Sequence, residues 1–199
     1  FHICSNNTIF GTRWGYIPDT KGVPIVADMS SEILSRPIDV SKFSLIYAGA
    51  QKNMGIAGLT VVIIKSSMIR DDLSDFVPTM LRYDVMAKHQ SMYNTPPTYS
   101  IYMLSLMLDW IKNIGGLYEM EKRNIKKAKL LYDYLDGSKL FVPFAREDSR
   151  SIMNVTFRLK DESLDKSFVE QAKERGIVNI KGHRSVGGLR ASVYNAMEY

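Results

Sequence analysis

Phe43-Ser-Leu-Ile-Tyr47-Ala-Gly-Ala-Gln-Lys52-Asn-Met-Gly-Ile-Ala-Gly58-Leu-Thr-Val-Val-Ile-Ile64 is the stretch that decides how this chain is read. Its two apolar runs, Phe43 to Tyr47 and Leu59 to Ile64, have strand length and read as buried strands. Between them lies a turn of small residues that carries a lysine. Lysine is seldom set among buried strands without a partner, because stripping its charge of water is costly. Gly49, Ala50, Gly55, Ala57 and Gly58 leave room for the backbone to turn and for a flat molecule to approach it. A partly desolvated amine in that setting is a nucleophile of the Schiff-base kind.

Working outward, residues 23–27 read as a further short strand that ends at Asp28, followed by Ser30 and Ser31. A carboxylate at the C-terminal end of a buried strand is where α/β sheets place functional groups. An aspartate ahead of two serines also suits a turn or helix cap. Taken with Lys52 it gains weight, since a pyridine-containing cofactor needs an amine and an acid for its ring nitrogen. Downstream, Tyr99 to Ile111 is apolar on every side and predicts a buried helix, ended by Gly115-Gly116. Leu117 to Leu135 predicts a second helix, with Lys122, Arg123, Lys126, Lys127 and Lys129 among its apolar positions. Met153, Val155, Phe157 and Leu159 alternate with polar residues, the period of a half-buried strand. Asp161 to Arg175 predicts a helix stopped by Gly176, and Ile177 to Ile180 another strand. The fold class is therefore α/β, with residues 1–115 in a larger, mainly parallel-sheet domain and 116–199 in a smaller C-terminal one.

Lys181-Gly-His183-Arg184-Ser-Val-Gly-Gly-Leu-Arg190 gathers cations around flexible glycines and suits a phosphate or carboxylate as well as it suits a plain basic loop. Asn94-Thr95-Pro-Pro-Thr98 reads as a rigid polar turn, with Thr98 placed to cap the following helix. The 199 residues are 45% hydrophobic and 24% charged, as in ordinary globular proteins. No apolar run approaches the roughly 20 residues that span a bilayer, so no membrane role is expected. The single cysteine, Cys4, excludes an internal disulfide and fits a reducing, cytoplasmic setting. The net charge of +5 is dispersed, which argues for solvated surface and against nucleic acid. His2, His89 and Cys4 lack metal-ligand spacing, and no hydrolase elbow or carboxylate pair stands out. The sequence opens on Phe1 inside an apolar run, the pattern of a chain whose front, with any targeting segment, lies elsewhere.

Ala48-Gly-Ala-Gln-Lys52-Asn-x-Gly-x-Ala-Gly58 resembles the lysine motif of the phosphoserine aminotransferase family of class V pyridoxal-phosphate enzymes. Asp28-Met-Ser-Ser31, Ser35-Arg-Pro, Tyr93-Asn-Thr-Pro-Pro97 and Gly182-His-Arg-Ser-Val-Gly-Gly-x-Arg190-Ala-Ser extend the resemblance in order and register along the chain. It implies the aspartate-aminotransferase type of fold (fold type I) and pyridoxal 5'-phosphate as cofactor. It implies that Lys52 carries the cofactor covalently, that Asp28 pairs with its ring nitrogen and that Thr8 meets its phenolic oxygen. Ser30 and Gln51 are implied to hold the cofactor phosphate, joined by Asn94 and Thr95 from a second subunit of a homodimer. His183, Arg184 and Arg190 are implied to bind the substrate's phosphate. The implied reaction is transamination between glutamate and 3-phosphohydroxypyruvate, a step of serine biosynthesis. Asn7 and Ile56 depart from the family's pattern, and the family's upstream half, with its glycine-rich phosphate turn and ring-stacking aromatic, is not in these residues. A second reading is a catalytically incompetent fragment or isoform that keeps Lys52 and acts as an interaction module.

Overall fold

The apolar runs on either side of Lys52 do pair with each other, and they do so as neighbours in a four-stranded sheet. The structure is a computed structural model that describes residues 1–74 and 76–199. Its strands are β1 (His2–Cys4), β2 (Asn6–Asn7), β3 (Thr12–Arg13), β4 (Val26–Asp28), β5 (Leu45–Gly49), β6 (Thr60–Ile64), β7 (Phe141–Pro143), β8 (Asn154–Leu159) and β9 (Leu189–Ser192). Its α-helices are α1 (Tyr83–Lys88), α2 (Thr98–Asn113), α3 (Gly116–Asp136) and α4 (Asp165–Glu174). The larger sheet has the order β1-β4-β5-β6. β1, β4 and β5 run parallel, and β6 returns antiparallel to β5. Ile3, Ile25, Ala27, Met29, Phe43, Ile46, Ala48 and Met54 form its core. Burying such side chains contributes about 1.5–3 kcal/mol each, before the entropy cost of ordering them.

The second sheet, β7-β8-β9, is antiparallel throughout. α3 lays Ala128, Tyr132 and Leu135 into its core, the spacing of one helix face, against Phe141, Met153, Val155, Phe157 and Leu189. Gly115, with φ of +110°, breaks the chain between α2 and α3 where a side chain would be strained.

Five sequence readings change. β8, read as half-buried, is enclosed on both faces, with Asn154 and Thr156 as buried as Val155 and Phe157. Residues 177–180 form no strand: Ile177 and Val178 lie exposed in a loop, and the third strand of the small sheet is Leu189–Ser192. Three apolar residues in four after a helix-ending glycine imitate a strand, whereas β9 carries Arg190 and Ser192 and follows a polar stretch. α2 forms as expected but is not enclosed. Only Ser100 and Ile111 are buried, while Tyr99, Ile101, Tyr102, Leu106 and Leu108 are exposed. An all-round apolar pattern reports how much burial a helix needs, and the described residues cover only part of its surface. β6, expected to be buried, is an edge strand with Thr60 and Ile63 exposed, since β5 is its one strand neighbour among the described residues. Thr98 does not cap α2; its hydroxyl donates to Pro96 O at 3.3 Å. Among the described residues no helix is long and apolar enough to cross a membrane.

Candidate active site

Parallel pairing brings Cys4, Asp28 and Tyr47 into one row, because β4 pairs Asp28 with Cys4 on one side and Tyr47 on the other. This row ends β1 and β4, so two chain segments leave the sheet here and polar groups collect. Asp28 Oδ1 accepts the Ser30 N–H at 2.9 Å, which fixes both the carboxylate and the turn that follows. The Tyr47 hydroxyl meets His2 Nε2 at 3.0 Å. Burial, followed by the nearby Asp28 carboxylate, pushes the Tyr47 phenol above its ordinary pKa. The same two causes, in the same order, push up the Cys4 thiol, while the Asn6 carbonyl and the Lys52 charge pull it down.

After β5 the chain turns through Ala50 to Asn53. Ala50 and Asn53 are buried, Lys52 is half-buried and Gln51 is exposed. Lys52 Nζ donates to Thr8 Oγ1 at 3.0 Å. Ser30 Oγ accepts the Gly49 N–H at 3.1 Å, so hydroxyl and backbone amide stand together beside the lysine turn. A Cβ at Gly49 would come within 2.7 Å of Gln51 Oε1, so the glycine makes room for that carboxamide. Thr8 sits between β2 and β3, a hairpin folded onto the small sheet: Thr156 Oγ1 donates to Phe10 O at 2.8 Å, and Ser151 N–H to Gly11 O at 2.9 Å.

From the small sheet, Arg190 on β9 extends to this hairpin. Its Nη1 reaches the Thr8 carbonyl at 3.5 Å, and its Nε is buried with no hydrogen-bond partner among the described residues. A guanidinium with an N–H that no described residue accepts keeps a donor in reserve, and the planar fork is the shape that carboxylates and phosphates match. The loop before it is closed by Gly182 N–H donating to Gly188 O at 2.8 Å. A side chain at Gly182 would collide with the Gly187 carbonyl.

The fold thus gathers Thr8, Asp28, Ser30, Lys52 and Arg190. Gln51 stays over Gly49. His183 turns its Nδ1 to Ser185 Oγ at 2.7 Å, and Arg184 is exposed. Asn94 and Thr95 lie in an exposed loop ahead of α2, joined by a bond of 3.2 Å from Asn94 Nδ2 to Thr95 O. The residues that sequence reasoning left unassigned are His2 and Tyr47 beside Asp28, and the asparagines behind the lysine turn. A cleft of about 310 Å³ lined by Ile3, Trp14, Glu32, Arg36 and Phe43 does not include the Lys52 group. Among the described residues no three His, Cys, Asp or Glu side chains gather as a metal site.

Residues 1–199 match the family described as Aminotransferase class-V over their whole length. The chain belongs to that family. A phosphoserine aminotransferase of Lysinibacillus sphaericus is 55% identical over 98% of this chain and 54% of its own length. The solved phosphoserine aminotransferase of Bacillus circulans subsp. alkalophilus superposes with a TM-score of 0.95 at 51% identity, over 98% of this chain and 54% of that one. The pyridoxal-phosphate-bound phosphoserine aminotransferase of Trichomonas vaginalis gives 0.93 at 41% identity, over 98% of this chain and 56% of that one. This class-V aminotransferase chain therefore spans about half the length of the relatives it matches, and it has their fold over that span.

Proposed function

We propose that this chain carries the catalytic lysine of a pyridoxal-phosphate-dependent transaminase that exchanges an amino group between glutamate and 3-phosphohydroxypyruvate, giving 2-oxoglutarate and phosphoserine. The observation that carries the reading is the link from Lys52 Nζ to Thr8 Oγ1 at 3.0 Å and from the Thr8 carbonyl to Arg190 Nη1 at 3.5 Å, the Arg190 Nε having no hydrogen-bond partner among the described residues. An amine, a hydroxyl and an unspent guanidinium donor there, with a carboxylate at the end of β4, fit a flat anionic carbonyl compound and a phosphorylated substrate. Bound pyridoxal phosphate supplies an aldehyde that captures amines and a ring that takes up the electron pair left when an α-proton departs.

The chain's own groups do the rest. Lys52 Nζ would hold the cofactor and, as a free amine, would take up the substrate's α-proton and deliver it again within the same site. Asp28 keeps a proton on the ring nitrogen. Thr8 orients the lysine through its hydroxyl. Ser30, Gln51 and the Gly49 amide suit the cofactor phosphate, with Asn94 and Thr95 serving the equivalent site of a second subunit. Arg190, His183 and Arg184 take the substrate's phosphate, the last two by movement of the 182–188 loop. Residues 1–115 belong to the larger, cofactor-holding domain and 116–199 to the smaller one. The exposed apolar face of α2 supports a homodimer. The setting is cytoplasmic and the role is in serine biosynthesis.

The test is absorbance of the purified protein with pyridoxal phosphate, then borohydride reduction and peptide mapping. A single reduced adduct on Lys52, absent from Lys52→Ala, is expected. An adduct on other lysines, or transamination that survives in Lys52→Ala, overturns the reading.

A further inference from the structure

Behind Lys52, the segment Met29–Ser35 makes one helical turn: Ile33 N–H donates to Met29 O at 2.8 Å and Ser35 N–H to Glu32 O at 2.9 Å. It ends at Leu34, whose φ of +62° is a left-handed conformation that a side-chain-bearing residue adopts only where its surroundings hold it. The end of such a turn leaves carbonyls without intrahelical donors. Here three consecutive carbonyls are taken by three asparagine side chains from three separate parts of the chain. Asn53 Nδ2 donates to Ile33 O at 3.1 Å, Asn195 Nδ2 to Leu34 O at 3.0 Å and Asn124 Nδ2 to Ser35 O at 3.0 Å. The asparagines also bond each other. Asn195 N–H donates to Asn53 Oδ1 at 3.0 Å, and Asn124 Nδ2 to Asn195 Oδ1 at 2.9 Å. Asn53 is 1%, Asn195 4% and Asn124 0% exposed.

Each asparagine sits on an element that matters to the site. Asn53 is the residue after Lys52. Asn124 is on α3. Asn195 follows β9, the strand that carries Arg190. Lys52 and Arg190 are therefore linked twice: in front through Thr8, and behind through Asn53, Asn195 and β9. Asn124 Oδ1 is buried without a donor among the described residues, and a flipped carboxamide would set that oxygen against Ser35 O and Asn195 Oδ1. The arrangement fits one orientation of each amide, as a gauge requires.

We propose that Asn53, Asn124 and Asn195 are positioning residues that clamp the Ile33–Ser35 turn and so set the distance between the Lys52 amine and the Arg190 guanidinium. The inference rests on the functional reading above. It goes further in assigning phosphate discrimination to side chains that touch neither cofactor nor substrate.

The test compares the holoenzyme with its Asn195→Ala and Asn124→Ala variants, which open the clamp from β9 and from α3. The expected result is a rise of about tenfold in KM for 3-phosphohydroxypyruvate with kcat changed less than about threefold, the size of a remote positioning effect. KM for glutamate holds steady. Hydrogen exchange at residues 193–197 and 50–54 quickens in the same variants, which reads the clamp without turnover. Variants that fold and keep both KM values and the exchange rates, or lose kcat and KM for both substrates alike with a fall in Tm, overturn the proposal. Lys52→Ala is run in parallel. If that variant still turns over, the functional reading falls; if it is dead and the asparagine variants are unmoved, only the clamp falls.

Discussion

Replacing Arg190 by alanine tests how much of substrate choice rests on one side chain. In the folded chain its interaction with Thr8 O is long, 3.5 Å, and its Nε has no hydrogen-bond partner among the described residues. Removing it therefore costs the fold little. What is lost is the contact with the substrate's phosphate. One hydrogen bond to a charged group is worth about 1.5–3 kcal/mol, and a bidentate pair is not simply twice that. At about 1.4 kcal/mol per decade, kcat/KM for the phosphorylated keto acid should fall about ten- to hundredfold. The unphosphorylated analogue, hydroxypyruvate, never makes the contact, so its kcat/KM should move by less than about threefold, a fraction of that contact's worth. Arg190→Lys keeps the charge but not the fork and should recover part of the loss. Steady-state kinetics with both keto acids on the intact holoenzyme reads the ratio. An equal loss on the two substrates would refute the reasoning, because it would place Arg190 on the part they share.

Two further expectations concern the frame around the site. Gly11 has φ of +66°, and a Cβ there would stand 2.7 Å from Asn154 O and run into the Thr156 side chain, so Gly11→Ala should lower stability by about 2–4 kcal/mol in urea unfolding; an unchanged midpoint would contradict it. Lys127 donates to the carbonyls of Val193, Tyr194 and Met197, and burial holds its pKa down to about 8 against an ordinary 10.5. Between those values the unfolded chain binds more protons than the folded one, so this group's contribution to stability rises with pH and is lost as pH falls through about 8. Lys127→Arg stays charged and should flatten that rise. Urea midpoints of both proteins at about pH 7 and about pH 10 would show it, and parallel slopes would exclude it.

Most of the fold is legible in the sequence because most of it is written in local runs. Residues 43–47 and 59–64 are apolar over strand length, Gly115-Gly116 breaks two helices, and Met153 to Leu159 alternates. The errors arise where a local pattern and its tertiary partner part company. Ile177 and Val178 look like a strand but find no strand neighbour among the described residues, while Leu189–Ser192 finds β8 with a sequence that advertises nothing. In the site, Lys52 and Asp28 announce themselves by standing at strand ends. Arg190 is visible only as one cation among several, and what distinguishes it from Arg184 is its approach to Thr8, 182 residues earlier in the chain. The asparagine clamp is the least legible part. Asparagine is ordinarily a turn and surface residue, and nothing local to Asn124 or Asn195 says that a carbonyl is waiting for it. The available signal is that Asn53 follows Lys52 within the same motif.

The seam between the two sheets also imposes a schedule on the growing chain. Asn6 donates to Ser31 Oγ at 2.8 Å, a partner 25 residues away, but its other partner, Asn154 Oδ1 at 2.9 Å, lies 148 residues on. Asn53 waits 142 residues for the Asn195 amide. At the usual pace of synthesis that interval is on the order of ten seconds, far longer than hairpins and helices need to form. The larger sheet must therefore hold these carboxamides half-partnered, Asn6 on Ser31 and Asn53 on Ile33, with water at their remaining atoms until Asn154 and Asn195 are made.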